Sequence, residues 1–286
     1  MVGFLNNTLK VENVLNLQYS YIKCKTALSF SRLPGLNYSL NPYLGCEHGC
    51  VYCYSPAMFR DEWMGLNWGK FVRAKSNIVE VLEHEVRRKP KGTVGLSTVT
   101  DPYQPLEAKL ELTRRCIEIL SKHDFPVSIQ TKSSLVLRDA DLIVPEKFDV
   151  GVTITTMDRE LASKIEPRAS PPDARVQVLD EFSSRGVKTW IFLGPIIPEV
   201  NDNADSLRRI IEIAGRTRSR LMYDKLNLKR WVLDRMAPLV EQERPRLASR
   251  LPALVSMNSE WWRNTCSTVE SICKELGVQY EPAFPT

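Results

Sequence analysis

Asn41-Pro-Tyr-Leu-Gly-Cys-Glu-His-Gly-Cys-Val-Tyr-Cys-Tyr54 carries Cys46, Cys50 and Cys53 in a C-x3-C-x2-C spacing, so one short loop offers three thiolates. Three is the deciding number. A cubane [4Fe-4S] cluster takes four ligands, and a loop that supplies three leaves one iron open to a small molecule. A closed electron-transfer cluster needs a fourth cysteine nearby, and none occurs between Cys53 and Cys116. The competing reading is zinc, with His48 completing a Cys3His set. Zinc sites usually draw ligand pairs from two separated segments, however, and no second pair is visible. His48 then reads as a loop residue that shields the cluster.

The rest of the chain is consistent with one enzyme-sized domain. Its 286 residues suffice for a large α/β unit with a well-buried core. A net charge of +5 admits a nucleic-acid partner without establishing one. The basic segments Arg87-Arg88-Lys89, Arg114-Arg115, Arg208-Arg209 and Arg216 through Arg220 read first as solvated helix faces. Trp231, Trp261 and Trp262 can stack on bases, but aromatic residues this far apart more often pack in a core. Seven cysteines is an odd count. Met1-Val-Gly-Phe-Leu-Asn-Asn7 lacks the basic start and apolar run of a secretory signal. No stretch reaches membrane-spanning length. These features predict a cytoplasmic protein with reduced thiols and no membrane partner.

Short β-branched runs alternate with helical periodicity, the pattern of βα units around a parallel sheet. Strands are predicted at Asn37–Leu44, Thr93–Val99, Pro126–Thr131, Asp149–Thr155, Lys188–Leu193 and Leu221–Leu228. Helices are predicted at Ile78–Arg88, Leu112–Lys122, Asp173–Arg185 and Ser206–Arg216. Polar segments follow the strands: Thr100-Asp-Pro-Tyr-Gln-Pro105, Thr131-Lys-Ser-Ser134, Thr153-Ile-Thr-Thr156, Glu166-Pro-Arg168 and Gly194 to Asp202. Turn chemistry accounts for any one of them; five in succession favour a site, with Asp101, Tyr103 and Gln104 presented at its rim.

The cysteine spacing, with Tyr52 just before the third cysteine, resembles the signature of the radical S-adenosylmethionine (SAM) enzymes. Together with Tyr54, Thr100-Asp-Pro-Tyr-Gln-Pro105, Thr131-Lys-Ser133 and Glu166-Pro-Arg168, it looks like the spore photoproduct lyase-like branch from about Asn37 to Asp202. The tail after Trp231 matches no pattern. The resemblance implies an α/β fold: a partial (β/α)6 TIM barrel over residues 37–232, after an N-terminal segment 1–36 and before a C-terminal helical extension 233–286 packing on the barrel. It implies a [4Fe-4S] cluster on Cys46, Cys50 and Cys53, S-adenosylmethionine at the open iron, and a 5′-deoxyadenosyl radical that takes hydrogen from a substrate. A reductant such as ferredoxin or flavodoxin is implied; the substrate is unidentified, a nucleic-acid base among the candidates. Tyr52, Tyr54 and Asp101 are expected to be catalytic, and Thr153, Thr155, Glu166 and Arg168 to contact SAM, a salt bridge being the competing role for Arg168. One departure stands out. The lyases quench their product radical with a cysteine three residues before the Asp that aligns with Asp101, and this chain has Thr98 there. The rival reading of the whole chain is a non-catalytic zinc- or cluster-binding protein that organises an RNA-binding or scaffold surface.

Overall fold

The computed structural model describes residues 17–284, so residues 1–16 of the expected N-terminal segment lie outside the described residues. Six parallel strands lie side by side in chain order: β1 (Tyr38–Leu40), β2 (Val94–Leu96), β3 (Val127–Thr131), β4 (Phe148–Thr153), β5 (Lys188–Ile196) and β6 (Arg220–Lys225). Their alternation decides which face meets the helices. Val127, Ile129, Val150, Val152, Ile191, Leu193, Leu221 and Tyr223 form one core cluster with Leu82, Ile117, Leu120, Phe182 and Ile211. Each fully buried aliphatic side chain there contributes about 1.5–3 kcal/mol. The opposite, concave face carries Ser39, Ser128, Gln130, Asp149, Phe192, Met222 and Asp224, all half-buried. Residue types alone thus separate a packing face from a solvent-accessible one.

Four predicted helices are present, at Ile78–Glu85, Leu112–Lys122, Pro172–Ser184 and Ala204–Arg216. The expected single strand Asn37–Leu44 is two elements. Tyr38–Leu40 joins the main sheet, whereas Tyr43–Leu44 pairs antiparallel with Phe71–Lys75, which also pairs with Gln18–Ile22. Pro42 explains the break: it has no N–H for a ladder and disfavours continued regular pairing. The cysteine loop is therefore launched from the small three-stranded sheet.

Beyond β6 the extension forms helices Val232–Glu243, Leu247–Leu254 and Glu260–Leu276. The last starts at Ser259, whose side chain accepts from the Trp262 N–H at 3.1 Å, and stops at Gly277 with φ +65°. The tail is not wholly helical. Tyr280–Pro282 adds a parallel strand beside β6, and Ser29–Phe30 pairs antiparallel with β1 at the other edge. The basic segments are largely ion-paired: Arg114 with buried Asp139 and exposed Asp141, and, on the surface, Arg208 with Glu275, Arg216 with Asp180 and Arg220 with Glu281. Trp231 and Trp262 are buried, and the Trp261 indole donates to Asp202 at 2.7 Å. No helix among the described residues is long and apolar enough to cross a membrane.

Candidate active site

Two glycines shape the cysteine loop. Gly45 (φ +90°) and Gly49 (φ +59°) occupy left-handed backbone, and a Cβ on Gly45 would lie 2.4 Å from the Phe71 carbonyl. Between them Cys46 is buried; Cys50 is buried and Cys53 half-exposed. The Cys53 N–H closes a turn on the Cys50 carbonyl at 3.1 Å. Burial, then Asp101, Cys50 and Cys53, push the Cys46 thiol well above its ordinary pKa, and a hydrogen bond from the His48 N–H opposes them. Burial raises Cys50 to about 12, with Lys132 pulling it back. The three sulfurs are thus within electrostatic reach of one another.

Side chains from distant segments brace this loop. Buried Glu47 accepts from the Tyr19 hydroxyl at 2.8 Å and the Leu106 N–H at 2.6 Å, while its own N–H donates to Gln104 Oε1 at 2.9 Å. Thr100 Oγ1 donates to the Gly45 carbonyl at 2.5 Å. Arg168 donates to the carbonyls of Glu47 and Gly69, not to Glu166.

The segment 100–105 points inward, not outward as expected. Asp101, Tyr103 and Gln104 are all buried. Asp101 accepts from Thr131 Oγ1 (2.7 Å), the Lys132 N–H (2.8 Å) and the Tyr103 N–H (2.9 Å), and faces His48 Nδ1 at 3.4 Å. Burial alone would raise its pKa, but His48, Lys132 and Thr131 outweigh it and hold the carboxyl below the ordinary range. Asp101 therefore joins the loops after β2 and β3 to the cysteine loop.

A second buried network lies at the ends of β4 and β5. The Tyr52 hydroxyl donates to Glu166, and Thr155 Oγ1 donates to the same carboxylate at 2.9 Å. Glu166 is ion-paired with Arg175, whose Nη1 donates to the Thr153 carbonyl at 2.9 Å and Nε to the Ser170 carbonyl at 2.8 Å. Burial opposes the Glu166 charge, yet Arg175 and Lys132 lower its pKa. Sequence reasoning missed Arg175. Its signal was a cation on the helix face of Val178, Leu179 and Phe182, where a charge needs a buried partner. We expect Glu166→Ala or Arg175→Ala to cost about 3–5 kcal/mol in urea melts of the metal-free protein, because each leaves an uncompensated buried charge. A loss within about 1 kcal/mol would mean that water reaches the pair.

Half-buried Lys132 and exposed Tyr54 lie beside the cysteine loop. The Lys132 ammonium stands 5.9 Å over the Tyr52 ring; burial opposes its charge, and Cys50, Glu166 and Asp101 favour it. Tyr54 is 37% exposed, next to Cys53 in charge terms, whereas Tyr52 is 7% exposed. Thr153 Oγ1 accepts from Gln130 Nε2 at 3.3 Å on the concave face. Below it Asp149 accepts from Ser128 Oγ and the Trp190 indole, both at 2.7 Å, and a Cβ on Gly151 would lie 2.1 Å from the Trp190 ring.

A model of the Radical SAM superfamily matches residues 40–211. An uncharacterized protein of Methanocaldococcus jannaschii is 36% identical over 185 residues, 63% of this chain and 68% of that one. An uncharacterized protein of Mycobacterium tuberculosis is 30% identical over 207 residues, 68% of this chain and 61% of the relative, so the chain spans less than two thirds of it. Among solved structures, a doubly substituted spore photoproduct lyase with bound AdoMet and dinucleoside spore photoproduct gives a TM-score of 0.67 at 15% identity, covering 94% of this chain and 82% of that chain. SuiB of Streptococcus suis bound to S-adenosylmethionine gives 0.58 at 10% identity, covering 85% and 49%. At these identities the structural likeness is one of fold.

Proposed function

Because the chain belongs to the radical SAM superfamily, whose members use a [4Fe-4S] cluster and SAM, we propose that Cys46, Cys50 and Cys53 hold the cluster and that the open side of the loop receives SAM. The observation that carries this reading is the set of three thiols on one braced loop, with Lys132 and the Glu166 network beside them at the C-terminal ends of the strands. No three His, Cys, Asp or Glu side chains among the described residues converge closely enough to share a single ion. A cubane does not require it, since each thiolate takes a different iron. When bound, the cluster and SAM supply reductive cleavage of the sulfonium and a 5′-deoxyadenosyl radical that abstracts hydrogen.

The residues divide the remaining work. Lys132 takes the SAM carboxylate, an anion that its ammonium can meet without competing for the Glu166–Arg175 pair. Thr153, at the concave face, contacts SAM, while Thr155 and Glu166 fix the Tyr52 ring and Arg168 fixes the loop. Asp101 holds His48 and the Lys132 backbone in register. Tyr54 faces the substrate side. The half-buried Gln130 and Phe192 suit a planar group with hydrogen-bonding edges, which keeps a nucleic-acid base among the candidate substrates. A ferredoxin- or flavodoxin-type reductant in a reducing cytoplasm completes the reading.

Anaerobic reconstitution tests it. We expect brown protein with about four iron and four sulfide per chain, and methionine with 5′-deoxyadenosine on adding SAM and dithionite. Colourless protein with one zinc would instead support the non-catalytic reading. Lys132→Ala is expected to weaken SAM binding by about 10- to 100-fold in calorimetry, the loss of roughly 1.5–3 kcal/mol for a charged hydrogen bond. Unchanged affinity removes Lys132 from the site.

A further inference from the structure

The cysteine loop is gripped by a part of the chain that the family match does not include. The match ends at residue 211, and helix Val232–Glu243 lies beyond it. Arg235 of that helix reaches back to the loop. Its Nη2 donates to the Cys53 carbonyl, Nε to the Val51 carbonyl at 3.3 Å, and Nη1 to the Gly65 carbonyl at 3.5 Å. A guanidinium presents five N–H donors in a rigid plane, so three carbonyls on one fork fix the loop and the short helix Glu62–Leu66 relative to each other. A lysine ammonium lacks that geometry.

Packing reinforces the grip. Val232, Met236, Leu239 and Val240 share an apolar cluster with Cys50 and Tyr52. Trp231 lies so close over Gly65 that a Cβ there would come within 2.4 Å of its ring. On the other flank, Arg168 holds the Glu47 and Gly69 carbonyls, and a Cβ on Gly49 would lie 3.0 Å from its Nη2. One arginine thus holds carbonyls at the first thiol's end of the loop and the other at the third's. Arg235 also faces Cys53 and Cys50 as charges: burial lowers its pKa, and those two thiols with Asp234 oppose the shift.

We propose that Arg168 and Arg235 form a two-sided clamp that sets the cysteine loop before metal arrives, and that Arg235 is a positioning residue whose charge also strengthens the cluster's hold on an electron. The first half is independent of which metal binds; the second rests on the cluster reading above. Its physical ground is that a one-electron reductant adds a negative charge to the cluster, and a guanidinium held at the Cys53 carbonyl favours the reduced state.

Hydrogen exchange by mass spectrometry on the metal-free, full-length protein tests the clamp. Arg235→Met should speed exchange in residues 46–54 at least tenfold and leave β3 and β4 unchanged. Arg235→Lys should give a smaller increase, and Arg168→Met should loosen the first half of the loop more than the second. Unchanged loop exchange in Arg235→Met overturns the clamp, as does an equal rise in β3 and β4, which would signal general destabilisation. In the reconstituted protein, potentiometry should show a tenfold weaker hold on the electron for Arg235→Met, about 59 mV lower for a one-electron couple, with Arg235→Lys near the parent value. A loosened loop with an unshifted potential overturns the charge role alone. Zinc-loaded protein with a loosened loop overturns the cluster reading and the charge role and leaves the clamp standing.

Discussion

Replacing Cys46, Cys50 or Cys53 singly by alanine is expected to abolish cluster assembly and SAM cleavage together. On the proposed cluster reading each thiolate holds one iron, and a two-thiol loop has no spare sulfur nearby. Cys116 and Cys273 lie on the helices Leu112–Lys122 and Glu260–Leu276 and are fully buried in the main core with Ile117, Leu120 and Val269. Cys266 lies against Tyr223, and Cys24 beside Asn77. His48 is the nearest substitute donor, but its Nδ1 is turned to Asp101 at 3.4 Å. Iron and sulfide analysis, visible absorbance and chromatography of 5′-deoxyadenosine check the result. A Cys50→Ala protein that keeps a full cubane and the parent rate would remove Cys50 from the ligand set. The same assays on a variant lacking the other four cysteines should show an unchanged iron content.

The parts of this architecture that local spacing dictates were legible in the sequence. Three cysteines within eight residues must share a loop, and apolar alternation at Val127, Ile129 and Val150, Val152 could only be a strand face turned to helices. Pro42 is equally visible as a residue, but the aromatic and aliphatic residues Tyr38, Leu40, Tyr43 and Leu44 on either side of it outweigh one missing N–H in a strand reading. The strand Tyr280–Pro282 escaped for a different reason. It is three residues long, carries a proline, and exists by pairing with β6. Two prolines make Asp101 and Gln104 look like rim residues on an exposed turn; their hydrogen bonds to segments 31 and 57 residues away turn them inward.

Arg235 was the least legible of all. It meets the Cys53 carbonyl across 182 residues of sequence, and nothing in an extension expected to pack on the barrel marks one arginine as half-buried against the cysteine loop. A carbonyl leaves no trace in the sequence, so a side chain that binds carbonyls has no partner residue to betray it. Arg175 differs in this respect, since its partner Glu166 is itself a charged residue within nine positions and both lie among apolar neighbours. Backbone-directed arginines are therefore the contacts that spacing arguments miss first.

Incubated with SAM, dithionite and a dinucleotide spore photoproduct, the reconstituted protein is expected to cleave SAM without multiple-turnover release of thymidylyl-thymidine. The fold is that of spore photoproduct lyase, but repair requires the thymine-centred product radical to be quenched by a hydrogen atom from a nearby weak bond. The residue at the corresponding position is Thr98, half-buried after β2, with Oγ1 donating to Ser39 Oγ at 3.3 Å. A threonine O–H bond is stronger than the C–H bond that would form, so this transfer runs uphill where a thiol's runs downhill. Cys116 offers no detour, being fully buried among the helices rather than on the concave face. Of the two loop tyrosines, Tyr52 has its hydroxyl committed to Glu166, which leaves the 37%-exposed Tyr54 as the phenol open to a radical. Sustained release of the repaired dinucleotide would sink the expectation, and loss of that release in Tyr54→Phe would then identify the donor.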